Sequence, residues 1–260
     1  MIIDSHCHAG RGDQLTAPWN TRAGLGPYLR RAAQAGIGRS LLLPAFQSDY
    51  VVGNRELSRI VRRLGKRAFG FCMVHAGRDA GRIEDMVEEA VQRLGLVGIK
   101  VHAHEQLPTR EVCEAARRFA LPLLVDVAGK AHVIDLLASE YPDLTFIIAH
   151  LGSFADDWRA HERVIEQLAR YPNVFADSSG VRRFDYLVQA VRRAGPEKLL
   201  FGSDGPWLHP GLELHKIKLL GLSPADEALV LHGNCQRLVL ERQPLPRRRI
   251  GTTLSSVGGR

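Results

Sequence analysis

The feature that most constrains this chain is a regular alternation of short apolar runs with segments of helical periodicity. Apolar runs of strand length occupy residues 1–4, 39–43, 68–74, 97–101, 121–125, 144–149, 174–177 and 198–202. Segments with the apolar spacing of amphipathic helices lie between and after them, over residues 26–35, 55–64, 83–94, 111–120, 131–140, 159–170, 184–194 and 212–219. Because the strand runs are almost wholly apolar rather than alternating, they predict a parallel sheet that is buried on both faces.

Eight strands that alternate with eight helices can close into a barrel or form an open, doubly wound sheet. No Gly-x-Gly-x-x-Gly pattern follows the first strand, which argues against the dinucleotide-binding kind of open sheet. Unusual polar residues stand at the carboxyl ends of several strands, where a barrel gathers its active site. The sequence therefore predicts one α/β domain, a (β/α)8 TIM barrel over residues 1–241, with two extra C-terminal helices at 224–232 and 234–241.

Composition agrees with a folded protein and excludes several other classes. The residues are 45% apolar and 24% charged, which excludes a disordered or fibrous chain. No apolar run approaches the roughly 18 residues of a membrane span, and the first residues do not form a secretory signal. We therefore expect a cytoplasmic protein with no membrane partner. The cysteines form no Cys-x-x-Cys pair and are expected to be reduced and mostly buried: Cys7, Cys72, Cys113 and Cys235.

The formal net charge of +7 is concentrated at the end of the chain. Five arginines and no acid follow Glu241, so residues 1–241 carry a net charge of only +2. Residues 242–260 are rich in Pro, Ser, Gly and Thr, and we expect a basic, flexible tail that catalysis does not need. A basic docking segment is the alternative. The nearly neutral body offers no stripe that could follow phosphates, which predicts that nucleic acid is not a partner.

The first predicted strand ends in His6-Cys7-His8. Because side chains alternate along a strand, the two imidazoles face one side and Cys7 faces the other. At the mouth of a barrel, such a pair of imidazoles predicts a site for a divalent metal ion. Two surface histidines would give the same pattern, so the prediction depends on their position at the end of a strand.

Two further polar residues end the sixth and eighth predicted strands. His150 follows four apolar residues, and Asp204 lies within Gly202-Ser203-Asp204-Gly205-Pro206, a composition typical of a tight turn. Taken alone, His150 could be a core residue and Asp204 a helix cap. Their alignment with His6 and His8 favours function instead. We predict that Asp204 binds the metal and takes a proton from bound water, and that His150 is also catalytic.

Five pieces of the sequence, taken together, resemble the amidohydrolase superfamily and specifically its amidohydrolase-related (amidohydrolase 2) branch. They span most of the chain, at residues 3–8, 98–102, 148–152, 201–206 and 233–238. The resemblance implies a (β/α)8 barrel in which His6, His8 and Asp204 hold one divalent ion. It also implies that the strand-six histidine, His150, assists the activated water.

The chain departs from this family at the end of the fifth strand, where another metal-binding histidine is usual and Asp126 stands instead. If Asp126 binds the metal, two imidazoles and two carboxylates surround the ion, which becomes a weaker Lewis acid. Zinc remains the expected metal, and the carboxylates make manganese or magnesium the alternatives. If Asp126 is not a ligand, it orients His102 or the substrate, or the site holds metal loosely or not at all.

Strand four contributes Lys100 and His102, which share one face by the same alternation. The resemblance implies that Lys100 does not bridge two metals as a carbamate, and we expect it to neutralise an anionic group of the substrate. His102 is expected to position the substrate or to replace the missing strand-five histidine. Trp207 and Phe154 could wall an apolar or aromatic substrate. The alternatives are a lysine whose amine reaches solvent and aromatic residues that only anchor loops.

Together these residues predict a metal-dependent hydrolase of a small-molecule amide, ester or lactone bond, with metal-bound water as the nucleophile. The alternative is a non-oxidative decarboxylase of an aromatic or related carboxylic acid, an activity also found in this branch. A nuclease resembling the TatD enzymes ranks lower, because those should carry a glutamate at the end of strand four, where this chain has Lys100. A degenerate barrel that only binds a ligand also ranks lower. The oligomeric state is left open, and a homodimer is compatible with the sequence.

Overall fold

The computed structural model describes residues 1–15 and 22–242, and the predicted tail, from residue 243 onward, lies outside the described residues. The predicted (β/α)8 barrel is confirmed. Its strands are β1 (Ile2–Arg11), β2 (Ile37–Pro44), β3 in two segments (Ala68–Gly70 and Cys72–Met73), β4 (Ile99–His102), β5 (Leu123–Asp126), β6 (Phe146–Ile148), β7 (Val174–Asp177) and β8 (Leu199–Leu200). A short strand, Arg22–Ala23, pairs in antiparallel fashion with the end of β1.

Neighbouring strands pair in parallel from β1 around to β8, and the two segments of β3 join one half of the barrel to the other. The ring closes between β1 and the chain that follows β8. The Ser5 amide donates to the Phe201 carbonyl at 2.8 Å, and the Asp204 amide donates to the His6 carbonyl at 2.7 Å. This closure places the end of β1 beside the Asp204 turn.

The helices that cover the barrel are α1 (Leu25–Gln34), α2 (Tyr50–Leu64), α3 (Ile83–Gln92), α4 (Arg110–Arg118), α5 (His132–Glu140), α6 (Trp158–Arg170), α7 (Phe184–Ala194) and α8 (Pro210–Lys218). The helix α2 begins before the predicted residue 55, because Asp49 caps it by accepting from the Val51 amide at 2.8 Å. Gly53 and Asn54, which precede the predicted start, lie inside this helix, and the Asn54 side-chain amide bonds the Met73 backbone. In the described part of the chain, no helix is long and apolar enough to span a membrane.

The C-terminal helices close the amino end of the barrel. The helix α9 (Pro224–Ala228) runs directly into wider π-helical turns at Leu229–Gly233 and Gln236–Leu240, so the two predicted helices form one continuous segment. Its apolar side chains pack against the inward residues of the strands, in a cluster that we call the amino-end plug: Ile3, Leu41, Leu43, Phe69, Phe71, Leu124, Ile147, Ala149, Phe175, Leu200, Cys235, Leu238 and Val239. Because the described residues fill this end, the barrel is open to a ligand at the carboxyl ends of the strands.

Candidate active site

A cavity of about 490 Å³ opens at the carboxyl ends of the strands. All nine site residues that the sequence singled out line this one cavity: His6, His8, Lys100, His102, Asp126, His150, Phe154, Asp204 and Trp207. The inward direction of His6 and His8 agrees with the alternation along β1. Cys7 faces the opposite way, where its buried thiol donates to the Tyr28 hydroxyl oxygen at 3.0 Å.

His6, His8 and Asp204 form a group that can hold a metal ion. Asp204 Oδ1 lies 3.7 Å from His6 Nε2 and 3.3 Å from His8 Nε2, and one ligand atom from each residue lies within 4.8 Å of the others. All three residues are buried. His6 Nε2 has no hydrogen-bond partner among the described residues. Because a buried, unsatisfied nitrogen costs free energy, this donor set fits a divalent cation.

Both imidazoles are held in the orientation that a metal ligand needs. His6 Nδ1 donates to Asp177 Oδ2 at 2.8 Å, and His8 Nδ1 donates to the Pro44 carbonyl at 3.2 Å. Since these acceptors carry no proton to give, each ring donates through Nδ1, and its Nε2 atom faces Asp204. Burial lowers the pKa of His6 to about 4 despite the attraction of Asp177, so this ring is neutral at neutral pH.

Asp204 is presented by a constrained turn after β8. Its backbone is left-handed, with φ at 55°, and a Cβ on Gly205 would lie 2.4 Å from the Tyr28 ring. Asp4 fixes this turn, because its carboxylate accepts from the Ser203 amide at 2.9 Å. Burial by itself raises the pKa of Asp204, but the hydrogen bond to His8 and the nearby imidazoles outweigh it and lower that pKa. Asp204 is therefore an ionised carboxylate that can act as a ligand.

His150 also sits on an unusual backbone. His150, Leu151 and Gly152 all adopt left-handed conformations, with φ values of 57°, 48° and 100°. A Cβ on Gly152 would lie 2.7 Å from a Val164 methyl group, which explains the glycine. The turn carries the His150 ring to 4.8 Å from the His6 ring. Burial alone would lower the pKa of His150, but its hydrogen bond and attraction to Asp126 raise it to about 9.

Asp126 lies between two histidines. Its Oδ2 atom is 3.0 Å from His102 Nε2 and 3.4 Å from His150 Nε2, and its Oδ1 atom accepts from the Ala128 amide at 2.9 Å. The His104 amide donates to His102 Nδ1 at 3.2 Å, so neutral His102 carries its proton on Nε2 and donates it to Asp126. Of the two roles considered for Asp126, these contacts favour orienting His102 and argue against binding a metal ion. They also leave His102 Nε2 engaged, which argues against its replacing the missing strand-five histidine.

Lys100 contributes a buried amine to the cavity. It is 1% exposed, and its Nζ atom has no hydrogen-bond partner in the described ranges. Burial lowers its pKa, although Asp126, Asp177 and Asp204 attract the charged form. The next residue, Val101, packs in the apolar core between the strands and the surrounding helices. Lys100 therefore faces the inside of the barrel, as the alternation predicts. Its expected pairing with a substrate anion stays a prediction.

Aromatic side chains wall the cavity next to the imidazoles. The Trp207 ring lies 4.3 Å from His8, the Phe154 ring 5.1 Å from His150 and the Phe46 ring 5.0 Å from His102. Trp207 Nε1 also donates to the Arg22 carbonyl at 3.2 Å, which fixes the indole at the rim. Phe46 was not predicted as a site residue, because a single phenylalanine two positions beyond β2 has no catalytic signature of its own.

The sequence analysis also missed Asp177 and Ser179. Both are fully buried and contact the site histidines from behind. The sequence did contain a signal for Asp177, which is an acidic residue at the end of an apolar strand, as Asp126 is at the end of β5. Asp4 was missed as well, although it opens the Asp4-Ser5-His6 stretch. All three residues support side chains that line the cavity rather than line it themselves.

Comparison with known proteins places this geometry in context. A family model described as Amidohydrolase matches residues 3–239, and no protein of curated function matches the chain. A zinc-bound amidohydrolase from Burkholderia multivorans has a TM-score of 0.74 and 18% identity, and the match covers 91% of this chain and 98% of that one. A dihydroxybenzoic acid decarboxylase from Polaromonas sp. JS666, with bound manganese and the inhibitor 2-nitroresorcinol, has a TM-score of 0.67 and 17% identity, with 91% and 96% covered. A Pseudomonas putida protein provisionally described as a 2-pyrone-4,6-dicarboxylic acid hydrolase has a TM-score of 0.71 and 21% identity, again with 91% and 96% covered.

Proposed function

The chain belongs to the amidohydrolase family, and from that premise we propose that it is a metal-dependent enzyme that hydrolyses an amide, ester or lactone bond in a small molecule. The observation that carries the proposal is the buried Nε2 atom of His6. It has no partner among the described residues and lies 3.7 Å from the ionised Asp204 carboxylate. A cation between the His6 nitrogen and the Asp204 carboxylate would give both groups a partner.

His6, His8 and Asp204 would hold the ion through two imidazole nitrogens and one carboxylate oxygen. When bound, a divalent ion acts as a Lewis acid that polarises a carbonyl group and lowers the pKa of water. Zinc is the first choice for this donor set, and manganese or magnesium are the alternatives. One zinc-bound and one manganese-bound structure among the similar folds are compatible with this choice.

Hydrolysis needs two proton transfers, and we assign one to Asp204 and the other to His150. The Asp204 carboxylate can accept a proton from the attacking water. His150 donates its Nδ1–H to the Ser179 carbonyl at 2.9 Å, which directs Nε2 toward the cavity beside Asp126. From that position His150 can deliver a proton to the leaving group. Lys100, buried and without a partner in the described residues, would bind an anionic group of the substrate.

Decarboxylation is the second candidate, and a specific observation favours it. The Lys100 amine, which has no hydrogen-bond partner in the described part of the chain, shares one cavity with three aromatic side chains, and an aromatic carboxylate suits this arrangement. The Polaromonas relative is described as a dihydroxybenzoic acid decarboxylase. In this reaction the bond between the ring carbon and the carboxylate would break and carbon dioxide would leave, while Asp204 would pass a proton taken up from solvent to the ring carbon. No water would be consumed.

One experiment separates the two reactions. The zinc-loaded and manganese-loaded proteins are incubated, in water enriched in oxygen-18, with a panel of lactones, esters, amides and aromatic carboxylic acids. Hydrolysis incorporates the heavy oxygen into a product carboxylate, whereas decarboxylation releases carbon dioxide. The His6→Ala, His8→Ala double variant is the control for contaminating activity. Oxygen-18 in a carboxylate product supports the proposal, carbon dioxide release alone replaces it with the second candidate, and no turnover by the metal-loaded protein contradicts both.

A further inference from the structure

Asp177, at the end of β7, contacts both His6 and His150, whose rings lie next to each other in the proposed site. Its Oδ2 atom accepts from His6 Nδ1 at 2.8 Å. Its Oδ1 atom accepts from the backbone amides of His150, at 3.2 Å, and Ser179, at 3.0 Å, and also from the Ser179 hydroxyl. The carboxylate is fully buried and does not line the cavity.

The hydrogen bonds around Ser179 leave a single arrangement of protons. Ser179 has one hydroxyl proton, and it goes to Asp177, because a carboxylate can only accept. His150 Nδ1, which lies 2.9 Å from both the hydroxyl and the carbonyl oxygen of Ser179, must then donate. His6 Nδ1 must donate as well, because its partner is the same carboxylate. Both rings are therefore locked with a proton on Nδ1.

We propose that Asp177 and Ser179 are a positioning pair that fixes the ring orientation and the Nδ1–H form of both His6 and His150. The inference rests on the proposed metal-dependent function, in which His6 Nε2 binds the ion and His150 Nε2 faces the substrate. A carboxylate behind a metal-binding histidine typically raises metal affinity by about 10-fold to 100-fold. Here one carboxylate serves the metal ligand and, through Ser179 and the backbone, the proton-transfer residue.

The informative variant is Asp177→Asn. Three donors meet Oδ1, so the asparagine carbonyl is expected to take that place, and its NH2 group then faces His6 Nδ1. Since an NH2 group can only donate, His6 must accept on Nδ1 and carry its proton on Nε2, where the metal would bind. We expect the nitrogen-15 spectrum of metal-free protein to show His6 protonated on Nδ1 in the wild type and on Nε2 in the variant. We also expect the dissociation constant for Zn²⁺, measured by calorimetry, to rise about 10-fold to 100-fold.

Two matched variants separate positioning from a general loss of stability. Asp79→Asn removes another fully buried carboxylate, which accepts from the His75 amide outside the cavity, and we expect it to leave Zn²⁺ affinity within about twofold of wild type. Ser178→Ala changes the adjacent buried serine, which bonds Gly202, and serves as the control for Ser179→Ala. We expect Ser179→Ala to lower kcat with little change in Zn²⁺ affinity, and Ser178→Ala to change neither.

The proposal and the function on which it rests can fail separately. If the wild type binds no divalent ion, the proposed function fails, while the spectra of metal-free protein still test the positioning. Wild-type His6 protonated on Nε2 would overturn the positioning role, and this result needs no variant to fold. Asp177→Asn with wild-type Zn²⁺ affinity and the proton still on Nδ1 would overturn it as well.

Discussion

The two ends of the barrel are built from the same strands but have opposite chemistry. In β1, Ile3 packs in the amino-end plug, and His6, three residues later, faces the cavity. In β5, Leu124 belongs to the plug and Asp126 lies two residues further along. Because residues two apart share a face of a strand, one pleat of β5 separates apolar packing from the polar site. In β1 the pairing register is irregular between Asp4 and Cys7, and the same step from Ile3 to His6 takes three residues. Stability and function are therefore divided along each strand rather than between domains.

This division explains how the protein tolerates a cavity rich in buried charge. Burying carboxylates and an ammonium costs free energy unless they are paired. Asp126, Asp177 and Asp204 each contact imidazoles, whereas Lys100 Nζ and His6 Nε2 have no hydrogen-bond partner among the residues that the structure describes. The apolar plug at the other end offsets this cost. Variants at the two ends should accordingly give opposite results.

The largest effect is expected at the carboxyl end. The His6→Ala, His8→Ala double variant removes two of the three proposed ligands, so metal affinity should fall at least about a thousandfold. Its unfolding transition without metal should stay cooperative, because the plug is untouched. Metal content by mass spectrometry and denaturation in urea measure the two quantities. A double variant that still holds one metal ion per chain would refute this ligand set.

A variant at the amino end of the barrel should lose stability and keep its metal affinity. Phe71 is fully buried in the plug, and a Cβ on Gly98 would lie 2.4 Å from its ring. Phe71→Ala should lower the free energy of unfolding by about 3–5 kcal/mol. The protein that remains folded should bind metal as tightly as wild type. A large loss of metal affinity in folded Phe71→Ala would show that the two ends are not independent.

Asp126 tests how far the carboxyl end depends on orientation rather than on ligation. If it orients His102 and His150, Asp126→His should reduce kcat by about 10-fold to 100-fold while metal preference and the alkaline limb of the pH–rate profile stay unchanged. If Asp126 is a ligand, the substitution removes a negative charge next to the ion. The alkaline limb would then move to lower pH and the preference would shift toward zinc, which would contradict the orienting role.

The smallest effect concerns His161, which lies behind the His150 turn and donates to the Leu151 carbonyl at 2.9 Å. Burial lowers the pKa of His161. The unfolded chain therefore binds this proton more readily, and the stability that neutral His161 contributes is complete above about pH 6.5 and is lost as the pH falls below that value. Between about pH 7 and pH 5, wild type should lose more stability in urea than His161→Phe. Equal losses would argue against this burial effect.

Much of the site could be predicted because it obeys two simple rules. Side chains alternate along strands, and the carboxyl ends of parallel strands meet at one mouth, so His6, His8, His150 and Asp204 could be grouped before any coordinates. The same rules applied to β7 would have found Asp177. The family model and the similar folds agree with the recognised resemblance and the barrel.

Other features depend on contacts between distant residues, which no local pattern encodes. The partners of Asp126 come from β4 and from the left-handed turn at His150, so β5 alone could not decide between a metal-binding and an orienting role. The early start of α2 combines the local cap at Asp49 with a distant contact, in which Asn54 bonds the backbone of Met73. The continuous C-terminal helix follows from its packing into the plug, where Leu238 and Val239 meet the strands.

The central claim is that the carboxyl end of the barrel holds one divalent ion between β1 and the turn after β8. The most direct test is a crystal structure of the zinc-loaded protein with anomalous data collected on both sides of the zinc edge. We expect a single anomalous peak bonded to Nε2 of His6, Nε2 of His8 and the carboxylate of Asp204, at roughly 2.0–2.2 Å from each. An ion bound elsewhere in the cavity, or an active protein whose crystals show no anomalous peak at these residues, would contradict the account.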